Sequence, residues 1–445
     1  MIENLLIKGV FLLILILFNN IKNNYNKNIY INSNGSKYSL NLKHNIKIGL
    51  VSNSIKNGGA ERQTSLLLYH FSKIKKFQLY LFTKKDIQEN EYTIEKKIKR
   101  IPIKKDLIDY LILFKIDILI YQIYNETEMY MLNNYNKTKT IFINRSCFLH
   151  WIYYKYYYQY QSIYKFYQRT KYVISLIHFE NDYLFEKWGI KSILMDNFIP
   201  YEYNSIIPSN LSSKTILMIG RGSDETKRFI LGIKSMKYII EEIPECEMKI
   251  ISELDIDDLF NYVHQMNLTD NIKFVGYQSN PEHYYINASL HIFPTLAEAF
   301  PNVLSETLAY GIPTILAGLD YVSTAKGGTV IIYDDSPLSI AKMAIKILKD
   351  KDYREKLGKE ARENIKQFNN ELLSKKWINL IISIYKGENY YEMLRNNEKK
   401  ISKNEYFSII KNQIKLLKLR NNNFTNITIQ DIENFTFIEN LGNFN

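Results

Sequence analysis

From Ile46 onward the chain alternates short apolar runs with segments of helical period, and it does so in two successive series. Candidate strands of the first series are Ile46 to Val51, Phe77 to Phe82, Asp117 to Tyr121, Thr140 to Ile143 and Tyr172 to Ile177. Those of the second are Thr215 to Ile219, Glu247 to Ile251, Ile272 to Val275, Leu290 to Phe293, Thr314 to Leu316 and Thr329 to Ile332. Strands joined through helices must run parallel, with the helices covering both faces of the sheet. Two doubly wound α/β halves in tandem are therefore predicted, over residues 45–206 and 207–385. The carboxyl ends of their parallel sheets would surround one crevice, where open α/β sheets bind ligands. Helices at Pro337 to Lys349 and Tyr353 to Ile365 close the second half. The amphipathic stretch Glu371 to Tyr385 is expected to pack back across the first.

The length of 445 residues suits two to four domains at about 100 to 200 residues each. A hydrophobic fraction of 46% excludes a wholly disordered chain and a multi-span membrane protein. Residues 1–44 read as a hydrophobic segment and a polar linker. Residues 5–18 are apolar apart from Lys8 and Gly9, short of the ~20 needed to span, so an interfacial or weakly inserted helix is expected. Lys22, Lys27 and Lys37 downstream of it would leave the body on the cytosolic face. Residues 386–445 are polar and Asn-rich, with one amphipathic stretch around Tyr406 to Leu419, and read as a peripheral tail. Between Trp151 and Tyr172 nine tyrosines mix with Lys155, Lys165, Arg169 and Lys171, a composition suited either to a membrane interface or to a half-buried helix.

Lysine and arginine exceed acids by 58 to 46, a net charge of +12 that favours anionic partners. No RNA-recognition signature, finger spacing or basic heptad region accompanies it, so no nucleic acid is expected. Cys147 and Cys246 lie too far apart in sequence for a paired-thiolate metal motif, and two cysteines make no disulfide framework. A reducing compartment fits.

Three segments carry candidate chemistry. Leu290 to Gly311 reads LHIFPTLAEAFPNVLSETLAYG, in which a strand leads through a loop into a helix that opens at Pro301 and closes at Gly311. The amides of Asn302, Val303 and Leu304 would then offer free N–H groups and the positive dipole end to a phosphate or sugar oxygen. Glu298 precedes them in the loop and Glu306 follows one turn beyond Asn302, so the two carboxylates are expected to flank one anion site. Spacing alone says little, since 46 acids in this chain give roughly five pairs eight apart by chance. The strand, loop and helix context makes this pair specific.

The second segment, Ile216 to Phe229, reads ILMIGRGSDETKRF: a buried strand ends at Gly220, and Arg221, Lys227 and Arg228 follow in the loop before a helix. Three cations at a strand's carboxyl end could clamp a diphosphate. The third, NGGAER from Asn57 to Arg62, follows the first strand. Glycine is scarce in this chain, 17 residues in all, so the adjacent Gly58 and Gly59 suggest either a close backbone approach to a ligand or a tight turn.

Together these segments resemble the large retaining glycosyltransferase family of the two-Rossmann GT-B fold, family 4, also called group 1. The resemblance runs from about Ile46 to Ile384. It is strongest from Ile216 to Trp377, where GR…TKRF, FVGY, Glu298 with Glu306, AYGIP and LGKEAREN…W follow in family order. It implies transfer of a hexosyl-type sugar from a nucleotide-diphosphate sugar to a lipid-linked, glycan or protein acceptor, with retained anomeric configuration and neither metal nor cofactor. By matching position, Arg221 and Lys227 would hold the diphosphate, with Arg228 beside them. Glu306 would bond the ribose and Glu298 the donor sugar, the amides of Asn302, Val303 and Leu304 would meet its oxygens, and Gly58 and Gly59 would lie beside the phosphates. Many members have a glycine pair where this chain has Ser252-Glu253. The alternative reading is a non-catalytic nucleotide-binding or membrane-surface scaffold of the same fold.

Overall fold

The computed structural model describes residues 29–31, 38–40, 44–56, 58–89, 91–123, 125–147, 165–200, 203–253, 256–389, 391, 392, 394 and 401–420. The apolar segment 5–18, Asn57, residues 148–164 of the tyrosine-rich stretch and residues 421–445 lie outside these. Within the expected linker, β1 (Ile29–Ile31) pairs antiparallel with β2 (Tyr38–Leu40).

Two sheets follow, as the two-series pattern predicts. The first has seven strands: β3 (Ile46–Ser52), β4 (Phe77–Thr83), β5 (Lys99–Pro102), β6 (Ile118–Tyr121), β7 (Lys139–Ile143), β8 (Tyr172–Ser175) and β9 (Ser192–Leu194), in the order β5-β4-β3-β6-β7-β8-β9. The second has six: β10 (Thr215–Ile219), β11 (Glu247–Ile251), β12 (Ile272–Phe274), β13 (Leu290–Phe293), β14 (Thr314–Ala317) and β15 (Thr329–Ile332), in the order β12-β11-β10-β13-β14-β15. The described pairings in both are parallel, for example Ile216 beside Met248 and Ile216 beside Leu290. β5 and β9 escape a periodicity reading. β5 contains Lys99, Arg100 and Pro102, and a proline without an N–H is tolerated because this strand is an edge.

Helices alternate with the strands: α1 (Gly59–Ser72), α2 (Leu107–Phe114), α3 (Glu126–Asn134) and α4 (His178–Trp188) in the first series. The second series has α5 (Phe229–Glu242), α6 (Asp257–Gln265), α7 (Glu282–Ile286), α8 (Asn302–Ala309), α9 (Pro337–Lys349) and α10 (Lys351–Ile365), followed among the described residues by α11 (Asn370–Lys386) and α12 (Lys403–Arg420).

The chain divides into two compact units, Met1–Ile123 with Tyr135–Lys139, and Tyr124–Asn134 with Thr140–Asn445. In the first, Ile46, Ile48 and Leu50 of β3 are buried, with Leu67, Leu68 and Phe71 of α1 also in the core. In the second, one core joins Ile216 and Met218 of β10, Met248 and Ile250 of β11, and Ile292 of β13. Ile233 and Met236 of α5 and Ile340 and Ala344 of α9 belong to it as well. Strands buried on both faces read as near-continuous apolar runs, which is why these were legible. Each such side chain stabilises the fold by about 1.5–3 kcal/mol, enough in sum to hold the strand ends rigid beneath the loops.

One element departs from expectation. The amphipathic stretch of the supposed peripheral tail is α12, and Ile409, Ile410, Gln413, Ile414 and Leu416 are all buried in the second unit. Gln413 donates to the Gly318 carbonyl (2.7 Å) and to Asp320 (2.9 Å), and Asn412 donates to Asp320 (2.8 Å). A Cβ on Gly318 would collide with Leu416, and Gly318 has φ 73°, so glycine is required there twice over. The docking surface belongs to loops distant in sequence, and a helical period by itself names no partner.

Candidate functional site

Loops after β10, β11, β13, β14 and β15 leave the carboxyl edge of the second sheet, the edge where open parallel sheets bind ligands. The loop after β10 runs through Gly220, Arg221 and Gly222 into a short 3-10 turn (Glu225–Lys227) and then α5. Asp224 caps that turn by accepting from the Thr226 amide (3.0 Å). The loop after β13 is tied to it directly, because the Leu296 amide donates to the Thr226 carbonyl (2.8 Å).

These ties bring two of the candidate residues together. Lys227 Nζ donates to Glu298 Oε1 at 2.5 Å, with the side chains only 20% and 15% exposed. The Glu298 amide donates to the Tyr321 hydroxyl (3.1 Å) in the loop after β14, and that hydroxyl lies 3.6 Å from Cys147 Sγ. Arg221 points into solvent with its side chain 65% exposed, bonded only loosely to Asp224 (3.2 Å). It is available to a ligand at low cost, since an exposed pair of this kind contributes about 0–1 kcal/mol.

Arg228 is a correction to the three-cation clamp. Its Nε donates to the Pro294 carbonyl (2.7 Å), and both terminal nitrogens engage Asp335 in a fork, one at 2.8 Å. Asp335 also receives Arg420 from α12, at 2.6 and 3.0 Å. Burial raises the Asp335 carboxyl, and the bonds from Arg420 and then Arg228 more than offset it, bringing it down to about 2. Sequence could rank Arg228 as a cation but not disclose a carboxylate 107 residues away. Arg228 therefore ties the loop after β10 to Pro294 and Asp335 in the loops after β13 and β15.

The two carboxylates separate as well. Glu298 faces Lys227, whereas Glu306 is buried and accepts from the Tyr285 hydroxyl (2.7 Å). Pro301 supplies no side-chain cap to α8, leaving its first turn at Asn302, Val303 and Leu304 uncapped by it. Val303 is half-buried and Leu304 buried. Asn302 receives Asn197 Nδ2 (3.0 Å), and Asn197 in turn receives Arg145 (2.6 Å) from the loop after β7. Asn197, Arg145, Tyr321 and Tyr285 were not singled out from sequence, because only the fold makes them neighbours of α8 and Glu298.

Where a glycine pair is common, Ser252 and Glu253 close on the β10 loop. Ser252 Oγ accepts from the Gly222 amide (2.8 Å), and Glu253 accepts from both the amide (3.0 Å) and hydroxyl (2.6 Å) of Ser223. A Cβ on Gly222 would lie 2.8 Å from Ser252 Oγ, so glycine permits this approach. Burial pushes the Glu253 carboxyl up, but the Ser223 bonds outweigh it and hold the acid below its ordinary range.

In the first unit, Gly58 is the N-cap of α1 with extended backbone (φ −129°) and Gly59 is its first residue. Among the described residues no group of three or more His, Cys, Asp or Glu side chains is placed to hold a metal ion. No described helix is long and apolar enough to cross a membrane.

Two tandem sheets with parallel described pairings and helices between the strands make a two-Rossmann GT-B fold. Residues 202–364 match the family described as Glycosyl transferases group 1. A solved sucrose-phosphate synthase from Thermosynechococcus elongatus is similar over 77% of this chain and 100% of its own, with TM-score 0.66 and 16% identity. Anabaena HepE, solved in complex with UDP and glucose, covers 76% of this chain and 99% of its own at TM-score 0.62 and 12% identity. The N-acetyl-alpha-D-glucosaminyl L-malate synthase of Bacillus anthracis is 24% identical over 194 residues, 40% of this chain and 49% of that protein. The chain spans half or less of the length of the curated relatives it matches.

Proposed function

We propose that the protein is a glycosyltransferase that moves a hexosyl-type sugar from a nucleotide-diphosphate sugar to an acceptor hydroxyl, with retention at the anomeric carbon. The observation that carries this is Lys227 at 2.5 Å from Glu298 beside the first turn of α8. Negative charge develops on the diphosphate as the glycosidic bond breaks. A preorganised ammonium, the exposed Arg221 guanidinium and the helix amides stabilise that charge. Glu298, released from Lys227 by the diphosphate, would accept from sugar hydroxyls, and Glu306 held by Tyr285 would meet the ribose. No metal is called for, because side-chain cations do its electrostatic work. The net charge of +12 suits a lipid-linked or polymeric acceptor at an anionic cytosolic membrane face.

The test is incubation of the purified chain with labelled nucleotide sugars and a panel of lipid and glycan acceptors. Label should pass to an acceptor in wild type and not in Arg221→Ala or Lys227→Met. Equal turnover in both variants overturns the assignment.

A second reading is a nucleotide-binding protein without turnover. It is favoured by one observation: the Gly222 and Ser223 amides, which could serve a phosphate, are already bonded to Ser252 and Glu253. Nucleoside diphosphate binding with no transfer to any acceptor supports it.

A further inference from the structure

We propose that α12 is a latch on the nucleotide loops and that Arg420 is a positioning residue for diphosphate binding, acting through Asp335 and Arg228. This rests on the reading of Lys227 and Arg221 as the diphosphate clamp. Arg228 is the residue after Lys227, and its guanidinium holds the start of the Glu298 loop through the Pro294 carbonyl. Asp335 is the other half of that grip. Both residues sit in left-handed backbone, φ 51° and φ 55°, a conformation that non-glycine residues hold only where surroundings enforce it. Arg420 is the third member, donating to both Asp335 oxygens and also to the Ala317 carbonyl (3.3 Å).

The helix that brings Arg420 is seated independently of it. Leu416 fills the space over Gly318, and Asn412 and Gln413 bond the loop after β14. Loss of Arg420 therefore leaves α12 docked and Asp335 still paired with Arg228, and what changes is the charge and rigidity of the cluster. Two guanidiniums around one carboxylate carry a net positive charge. Replacing Arg420 removes it and takes away the tether that fixes Asp335 to α12, loosening the cluster that aims Lys227. A diphosphate feels both effects, and the nucleoside part of the ligand feels neither.

The experiment is titration calorimetry of the full chain with UDP and with uridine, on wild type, Arg420→Gln, Arg420→Lys and the exposed-face control Lys411→Ala. Arg420→Gln should weaken UDP by about fivefold or more and uridine by less than about twofold, as a coupling through a shared loop requires. Arg420→Lys keeps the charge without the fork and should fall between, while Lys411→Ala should match wild type. In a Lys227→Met background the Arg420→Gln effect on UDP should shrink, since both act on one loop. Equal losses for UDP and uridine, or wild-type UDP affinity in Arg420→Gln, overturn the proposal. Should Arg420→Gln fail to fold, Arg420→Lys carries the test, with its intermediate loss for UDP and none for uridine. If wild type binds none of UDP, ADP or GDP, the functional reading falls, and hydrogen exchange then decides the latch. Faster exchange at residues 221–228 in Arg420→Gln sustains it, and unchanged exchange there sinks it.

Discussion

Lys227 Nζ lies 2.5 Å from Glu298 Oε1, a contact between residues 71 apart in sequence that joins the loop after β10 to the loop after β13. In the ligand-free protein each residue neutralises the other. A bound diphosphate would compete for the ammonium and release the carboxylate to the sugar, so the pair separates two roles that a single assay conflates.

Glu298→Gln should therefore bind UDP more tightly than wild type, by up to about tenfold, because the ammonium is no longer neutralised. Sugar transfer in the same variant should fall by about 100-fold or more, the loss typical of removing a preorganised polar contact. Calorimetry and a labelled-donor assay read the two effects. Weaker UDP binding in Glu298→Gln would contradict this account of the pair.

Asp335 supplies a pH prediction. Its carboxyl is lowered from the ordinary 3.8 to about 2 in the folded protein, so it contributes stability above the unfolded value that is lost as pH falls from about 4 to about 2. Asp335→Asn should cost about 2 kcal/mol at pH 7. The gap to wild type should stay constant from pH 7 to about 5 and narrow below about 4. Urea unfolding across that range measures it, and a constant gap down to pH 3 would refute the assignment.

Leu416 is fully buried in α12. Leu416→Ala should destabilise the docked helix by about 2–5 kcal/mol, and hydrogen exchange in residues 403–420 should rise before that of the β10 to β15 sheet. If the sheet and the helix lose protection together, α12 is a part of the cooperative core rather than a separable element.

Tyr285 donates to the buried Glu306 carboxylate. Tyr285→Phe should cost about 1–3 kcal/mol of stability, because the buried Glu306 side chain loses a hydrogen-bond donor. It should also raise the donor KM more than it lowers kcat, since Glu306 is proposed to meet the ribose and not the reacting bond. An equal fall in kcat would place Tyr285 in the chemistry instead.

The strands were legible because parallel strands buried on both faces must be continuous apolar runs: Leu290–Phe293 and Thr314–Ala317 are fully buried along their length. The helix start was legible to within one residue: Pro301, expected as the first helical residue, is the N-cap, and α8 begins at Asn302. β5, with two basic residues and a proline, carries no such local mark, and its strand character comes from pairing with β4 at the sheet edge.

What the amino-acid order determined alone is thus the alternation of elements, the two series of strands, and which short segments end at strand carboxyl edges. Tertiary structure decided which charges meet. It assigned Arg228 to Asp335 and Lys227 to Glu298, buried Glu306 against Tyr285, and turned a polar-looking terminal stretch into a docked helix carrying Arg420. The reason is physical: backbone periodicity is set by neighbours within a few residues, whereas an ion pair depends on distance in space, and loops from separate strands fix that distance only after the sheet has formed.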